Sequence, residues 1–261
     1  MALTPAQFAQ AAAMEASQQR MADLQRMTYG ELRKLLSGDP TEAAVWVRSA
    51  AEQGMPAAQL RLGRMLLEGN GAPRDESEAF TWFERSAAQG DGDAMNMIGR
   101  CLENGWGTEA DLRKAAASYA SAAAMGHDWG EYNLANLLFD GRGVAQNHEQ
   151  ALYWYLRAAQ QGHGRAMNLA GRCLEEGWGC TRAPAEAAEW YRRSAESGYF
   201  RGQFNYALVL AQQGNGALAA TWFWKAAAGG NDDMRRAVGA AVGGSSDPAL
   251  VDLRTRLAAL S

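Results

Sequence analysis

Histidine and cysteine are side chains that often serve as general bases, nucleophiles or metal ligands, and each occurs only three times in this sequence. The histidines, His127, His148 and His163, are far apart along the chain. No H-E-x-x-H, C-x-x-C or G-x-S-x-G motif occurs, although these local arrangements bring metal ligands, thiols or a nucleophilic serine together. The sequence therefore predicts a protein that is not an enzyme and that holds no metal and no cofactor.

A cluster of polar residues that occurs twice in the sequence is the feature that could bind a ligand. Residues 94–107 and 166–179 are identical at eleven of fourteen positions. The recurring polar and aromatic members are Asn96/Asn168, Arg100/Arg172, Glu103/Glu175 and Trp106/Trp178. Because a guanidinium is a planar fork of donors and an amide both donates and accepts, this set can bind a carboxylate and a peptide backbone.

Two alternatives stay open for this cluster. The arginine and the glutamate of each copy are three residues apart, so on a helix they could form a surface pair worth only about 0.2–0.5 kcal/mol. A recent duplication would then explain why the copies are identical. The tryptophans, Trp106 and Trp178, are either exposed anchors for a partner or wedges packed between their own loop and the following helix.

A 36-residue period defines the elements that position these residues. The glycines that end successive periods are Gly54, Gly90, Gly126, Gly162 and Gly198. Within each period a G-x-G pattern separates an amphipathic segment, with apolar residues such as Met97 and Cys101, from a segment rich in alanine and aromatic residues. Each period is therefore predicted to form two helices, A then B, and units of this length must stack on their neighbours to bury their apolar faces.

The polar residues of the cluster stand at positions i, i+4 and i+7 of the A helix, on the side opposite the apolar stripe. We expect this side to form a groove that binds a partner, together with residues of the other repeats at corresponding positions. These additional residues are Arg64, Tyr132, Asn136, Phe139 and Phe204.

The two ends of the chain differ from the repeats, as solenoid ends must in order to cover the core. We predict an N-terminal capping helix in 1–27, a solenoid in 28–242 and a C-terminal capping helix in 243–261, with about thirteen helices and essentially no β-strand. The repeats are predicted at 28–54, 55–90, 91–126, 127–162, 163–198 and 199–230, followed by a partial helix.

Composition narrows the range of partners. The formal net charge is −4 and no run of lysine or arginine occurs, which predicts no nucleic-acid partner. No apolar segment approaches 18 residues, which predicts no membrane insertion, and the N-terminus lacks the pattern of a signal peptide. Cys101 and Cys173 stand at the same position two repeats apart, too far for a disulfide. We expect a cytoplasmic protein, more readily a monomer than an oligomer.

The repeat pattern A-x-x-x-L-G-x-x-L-x-x-G-x-G-V…A-x-x-W-Y-x-x-A-A-x-x-G resembles the Sel-1-like (SLR) repeat, a relative of the tetratricopeptide repeat. The matching segments are 58–90, 94–126, 130–162 and 166–198, with a shortened copy at 202–230 and a decayed copy at 30–54. The resemblance implies an all-α, right-handed α/α superhelix (solenoid) of about six helix-pair repeats, whose A helices line a concave surface. Some secreted members have cysteine pairs that bridge the two helices of a repeat, a spacing that these cysteines do not follow.

The resemblance and the duplicated cluster together predict a bacterial protein–protein interaction scaffold that binds a partner segment in the concave A-helix groove. An alternative is a protein that binds or hydrolyses a small molecule or cell-wall fragment on the same face. A pocket with a perturbed carboxylate near Arg100 or Arg172 would favour that alternative. A third is a structural homo-oligomer that docks through its capping helices.

Overall fold

Each 36-residue period folds as two helices joined by the G-x-G loop. The computed structural model describes residues 4–258, and in these residues it has fifteen α-helices and no β-strand. The helices are α1 (Pro5–Arg26), α2 (Tyr29–Ser37), α3 (Pro40–Glu52), α4 (Pro56–Glu68), α5 (Glu76–Ala87), α6 (Gly92–Asn104), α7 (Leu112–Ala124), α8 (Asp128–Asp140), α9 (His148–Gln160), α10 (Gly164–Glu176), α11 (Pro184–Glu196), α12 (Phe200–Gln212), α13 (Gly216–Gly229), α14 (Asp232–Gly243) and α15 (Pro248–Ala258). The predicted all-α helix-pair architecture is confirmed, with fifteen helices between residues 4 and 258 where the sequence predicted about thirteen.

The G-x-G loop explains why the repeat needs two glycines. The first ends the A helix with a left-handed backbone, as Gly105 does at φ 75°. The second lets the loop lie against the first residue of the preceding B helix. A Cβ added at Gly107 would lie 2.0 Å from the carbonyl oxygen of Glu76, and one added at Gly179 would lie 2.4 Å from that of His148. The loops therefore join successive repeats.

An aromatic ring at the same position of five B helices fills the space inside each of these helix pairs. These rings are Phe83, Tyr119, Tyr155, Tyr191 and Phe223, each at most 2% exposed. Three of them lie against a glycine of the A helix. A Cβ added at Gly99 would lie 2.5 Å from ring carbons of Tyr119, so a larger residue there would push the two helices apart.

The contacts of the chain divide after Gly130 into two compact units, with the division inside α8. In the N-terminal unit, Arg48 of α3 forms an ion pair with Glu78 of α5 at 2.5 Å. Hydrogen bonding from this guanidinium holds the pKa of the Glu78 carboxyl below its usual value. In the C-terminal unit, the fully buried Glu131 carboxylate lies 3.1 Å from the Arg157 guanidinium.

The terminal helices pack on the ends of these units. The Ser17 hydroxyl of α1 donates to Glu52 at 2.9 Å, and the Arg20 Nε donates to the Ser49 hydroxyl at 2.6 Å. At the other end, α14 and α15 pack on α13 and bury Val238 and Leu253. The predicted caps extend over 1–27 and 243–261, of which residues 1–3 and 259–261 lie outside the described part of the chain. No helix between residues 4 and 258 has both the length and the apolar character needed to cross a lipid bilayer.

Candidate functional site

The glutamates of the duplicated cluster stabilise the helix pairs to which they belong. The Tyr119 hydroxyl donates to Glu103 Oε2 at 2.7 Å, and the Tyr191 hydroxyl donates to Glu175 Oε2 at the same distance. Burial of these tyrosines, and the carboxylates next to them, raise the pKa of both hydroxyls well above the usual value. Because both carboxylates accept from buried hydroxyls, they bind the A helix to the B helix of the same repeat.

The arginines of the cluster are exposed and lie over the tryptophans of the following loop. The Arg100 guanidinium is 5.2 Å from the Trp106 ring centre, and the Arg172 guanidinium is 5.4 Å from that of Trp178. Both indoles are half-buried, and the Trp178 ring meets Phe139 edge-on at 5.2 Å. Each tryptophan therefore has a guanidinium over its ring, and Trp178 also packs on α8 of the preceding repeat.

The asparagines of the cluster are buried, at 7% exposure for Asn96 and 4% for Asn168. The Asn168 Oδ1 accepts from Asn205 Nδ2 of α12 at 2.7 Å. The sequence placed each asparagine on the same open face as its arginine, whereas both asparagines are buried. Positions i and i+4 differ by about 40° around a helix, which is enough to turn the asparagine of α10 towards the next A helix while the arginine stays outside.

The remaining predicted site residues have separate roles. Asn136 accepts the Tyr155 hydroxyl at 2.7 Å, and Phe204 packs edge-on against Phe223 at 5.6 Å. Both therefore hold a B helix. Arg64 of α4 is exposed and forms an ion pair with Asp93 of α6 at 2.9 Å.

Three of the predicted residues come together in the C-terminal unit, in a depression of about 370 Å³ between α10 and the start of α12. It is lined by Tyr132, Arg165, Asn168, Leu169, Arg172, Tyr199, Phe200 and Arg201. The lining contains three arginines and no aspartate or glutamate. We refer to it as the arginine depression.

Sequence reasoning missed Arg165, Tyr199, Phe200 and Arg201. The Arg165 guanidinium lies 6.0 Å from the Tyr199 ring centre, and the Arg201 guanidinium lies 5.9 Å from that of Phe200. A signal was present in the 36-residue register, because Arg201 stands three periods after Asp93. The charge at this position is thus reversed between the two repeats.

Two of the three cysteine side chains are buried as free thiols. All three cysteines are free, and burial raises the pKa of both Cys101 and Cys173 to about 12. Cys180 is partly exposed, and burial also raises its pKa. Between residues 4 and 258, no group of three or more histidine, cysteine, aspartate or glutamate side chains is arranged to hold a metal ion.

The pattern of the Sel1 repeat matches residues 16–55, 56–91, 92–127, 130–163 and 164–199, well over half of the chain. The chain therefore belongs to the Sel1 repeat family. The predicted sixth repeat, 199–230, is not matched beyond its first residue. Proteins of this family generally mediate protein–protein interactions.

Solved structures of several bacterial proteins are similar to this chain. A Sel1 repeat protein from Oxalobacter formigenes is 25% identical, with a TM-score of 0.71, over 84% of this chain and 94% of that one. A protective antigen of uropathogenic Escherichia coli with an SLR fold is 28% identical, with a TM-score of 0.44, and the match covers 89% of this chain and 60% of that one. Cysteine-rich protein B of Helicobacter pylori is 24% identical, with a TM-score of 0.41, and the match covers 48% of this chain and 96% of that one. No curated protein matches the chain.

Proposed function

We propose that this protein is a non-enzymatic scaffold that binds a segment of a partner protein on the exposed face of its A helices. The observation that carries the proposal is the arginine depression, an open surface with both guanidinium groups and aromatic rings. Arginine and aromatic side chains contribute a large share of the binding energy in protein interfaces. The family's general role in protein–protein interactions supports the same function.

Because several of the predicted site residues are buried, only some of them would touch a partner, and the others would hold the exposed ones in place. Arg172 and Tyr132 are the predicted residues that would touch a partner in the arginine depression. Asn168 and Glu175 would support them, since the asparagine fixes α12 against α10 and the glutamate fixes α11. In the N-terminal unit, Arg100 is the exposed member of the equivalent cluster.

A hydrolytic function on the same face has less support. Hydrolysis of a glycosidic bond generally needs a pair of carboxyl groups, one to donate a proton and one to act as base or nucleophile. The lining of the arginine depression contains neither of these carboxyl groups.

Three free thiols are consistent with a reducing compartment, and we extend the proposal to a monomer in the cytoplasm.

Site-specific photo-crosslinking tests the proposal. Glu176 is exposed, lies one helical turn after Arg172, and so carries a crosslinker at the edge of the depression. The control position is Tyr153, 54% exposed on the B helix α9. In cells of the source organism we expect a discrete protein adduct from position 176 and none from position 153. Equal adducts from both positions, or none from position 176, would contradict the proposal.

A further inference from the structure

Corresponding positions of the A helices hold an ion pair in the N-terminal unit and two arginines in the C-terminal unit. In the N-terminal unit, Arg64 of α4 is neutralised by Asp93 of α6 at 2.9 Å. Three periods later the corresponding residues are Arg172 of α10 and Arg201 of α12. Both line the arginine depression. A position that supplies a carboxylate in one unit thus supplies a second guanidinium in the other.

The neighbouring residues change in the same direction. Asp93 is preceded by Asp91 and Gly92, whereas Arg201 is preceded by Tyr199 and Phe200. The start of α12 therefore has one cation and two aromatic rings where the start of α6 has two carboxylates and a glycine. This cannot follow from a basic composition, since the whole chain has a net charge of −4.

The two arginines are held in a way that suits binding. The Arg172 guanidinium lies over Trp178 and the Arg201 guanidinium lies over Phe200. A guanidinium that stacks by its face keeps its in-plane N–H groups for other acceptors, and an ion pair with a carboxylate uses those groups. Within residues 4–258, neither guanidinium forms an ion pair with an aspartate or glutamate. Two guanidinium groups that line one depression repel each other, and an anion bound between them offsets this repulsion.

We infer that the arginine depression binds acidic side chains of a partner peptide, in which aspartate or glutamate stands next to an apolar residue. A carboxylate is the chemically matched group, because the carboxylate of Asp93 satisfies the same register in the N-terminal unit. The apolar neighbour would contact the rings of Tyr132, Tyr199 and Phe200. This inference rests on the proposed function and names the chemistry of its partner.

The test is selection from a random peptide library, followed by affinity measurement of the selected peptides by fluorescence anisotropy. The informative variant is Arg201→Asp, which restores in α12 the carboxylate that α6 has and neutralises Arg172 internally. Its control is Arg113→Asp, which makes the same change of charge at the second residue of α7. Both sites are exposed, and an acidic residue is favourable at a helix N-terminus, so both variants should fold.

We expect the unmodified chain to select peptides rich in aspartate and glutamate beside an apolar residue. Arg201→Asp should weaken their binding by roughly tenfold or more, while Arg113→Asp should change it less than about twofold. Replacing the acidic residues of the peptide by their amides should have the same effect as Arg201→Asp. Added salt should weaken binding, because exposed charges are screened.

Three outcomes would overturn the inference. Selected peptides without an acidic preference would do so, as would equal losses in the two variants. The third is stronger binding of phosphorylated peptides, or of peptides that need a free C-terminal carboxylate, than of acidic side chains. In each case crosslinking from position 176 could still succeed, so failure of this inference is distinguishable from failure of the proposed function.

Discussion

At the scale of single residues, the duplicated cluster mainly stabilises its own repeats. Glu103 and Glu175 accept hydroxyls that are buried in the helix pairs, and Asn168 connects two A helices. What remains exposed in each copy is the arginine. These contacts give structural roles to both glutamates and to Asn168, and the binding specificity that we propose depends on Arg172 together with a residue outside the copies, Arg201.

The hydrogen bonds of the buried tyrosines give a prediction on stability. Tyr119 donates to a carboxylate, whereas Tyr155 donates to the amide oxygen of Asn136. Hydrogen bonds to charged groups contribute about 1.5–3 kcal/mol, against about 0.5–1.5 kcal/mol for neutral ones. We expect Tyr119→Phe to lower the free energy of unfolding more than Tyr155→Phe, as measured by urea denaturation. An equal or smaller loss for Tyr119→Phe would show that Glu103 contributes little.

The same residues predict how stability depends on pH. Burial raises the pKa of Tyr119, Tyr155 and Tyr191 in the folded state well above the usual value for tyrosine, which is about 10. Their contribution to stability is therefore complete below about pH 10 and is lost as the pH rises above it. We expect part of the tyrosinate absorbance to develop only together with loss of the helical circular dichroism signal. Complete ionisation near pH 10 with the helices intact would contradict this.

At the scale of elements, the pairing of A and B helices depends on a small residue facing an aromatic ring. Gly99 and Tyr119 show the geometry most plainly, since a Cβ at the glycine would come within 2.5 Å of the ring. Glycine is a poor helix former, about 1 kcal/mol less favourable than alanine. Its presence in the middle of α6 is thus a local cost that close packing offsets.

This geometry predicts opposite effects for two identical substitutions. Gly99→Ala should destabilise the protein by about 1–3 kcal/mol, because the added methyl group overpacks the helix pair. Gly239→Ala in α14 is the matched control, since nothing lies within 4 Å of a Cβ at that site. There we expect a gain of about 0.4–1 kcal/mol from helix propensity and from a stiffer unfolded chain. Thermal and urea denaturation of both variants would check this, and a loss at both sites would refute the packing argument.

The difference between what sequence predicted for the elements and for the site has a physical cause. Glycine spacing and apolar periodicity are properties of one repeat, so they were sufficient for the helix pairs. The burial of Asn168 is decided by Asn205 of the next A helix, a contact that no pattern within a single helix contains. Arg201 was missed because the copies were compared for identity, whereas the informative signal is the change from Asp93 to a cation in the same register.

At the scale of the whole molecule, the chain has a modest negative charge but concentrates three arginines in one depression. Such an arrangement attracts an acidic segment locally without making the protein a general binder of anions. The helices at the two ends of the chain contact the neighbouring repeats in different ways. Between α1 and α3 the described contacts include polar side-chain hydrogen bonds, whereas the C-terminal helices bury apolar side chains.

This difference predicts unequal effects of truncation. Deleting residues 1–27 removes the bonds from Ser17 to Glu52 and from Arg20 to Ser49, each worth on the order of 1 kcal/mol. Ending the chain at Gly230 removes several buried apolar side chains, each worth about 1.5–3 kcal/mol when fully buried, partly offset by the lost cost of ordering α14 and α15. The apolar residues removed are Met234, Val238, Val242, Leu250 and Leu253.

We therefore expect the C-terminal truncation to lower the melting temperature more than the N-terminal one, as followed by circular dichroism. It should also expose the apolar side of α13, including Phe223, and promote association that light scattering would detect. The N-terminal truncation should leave peptide binding at the arginine depression unchanged, since every lining residue lies in the C-terminal unit. If deleting residues 1–27 costs as much stability as the C-terminal truncation, α1 is a larger part of the core than its hydrogen bonds indicate.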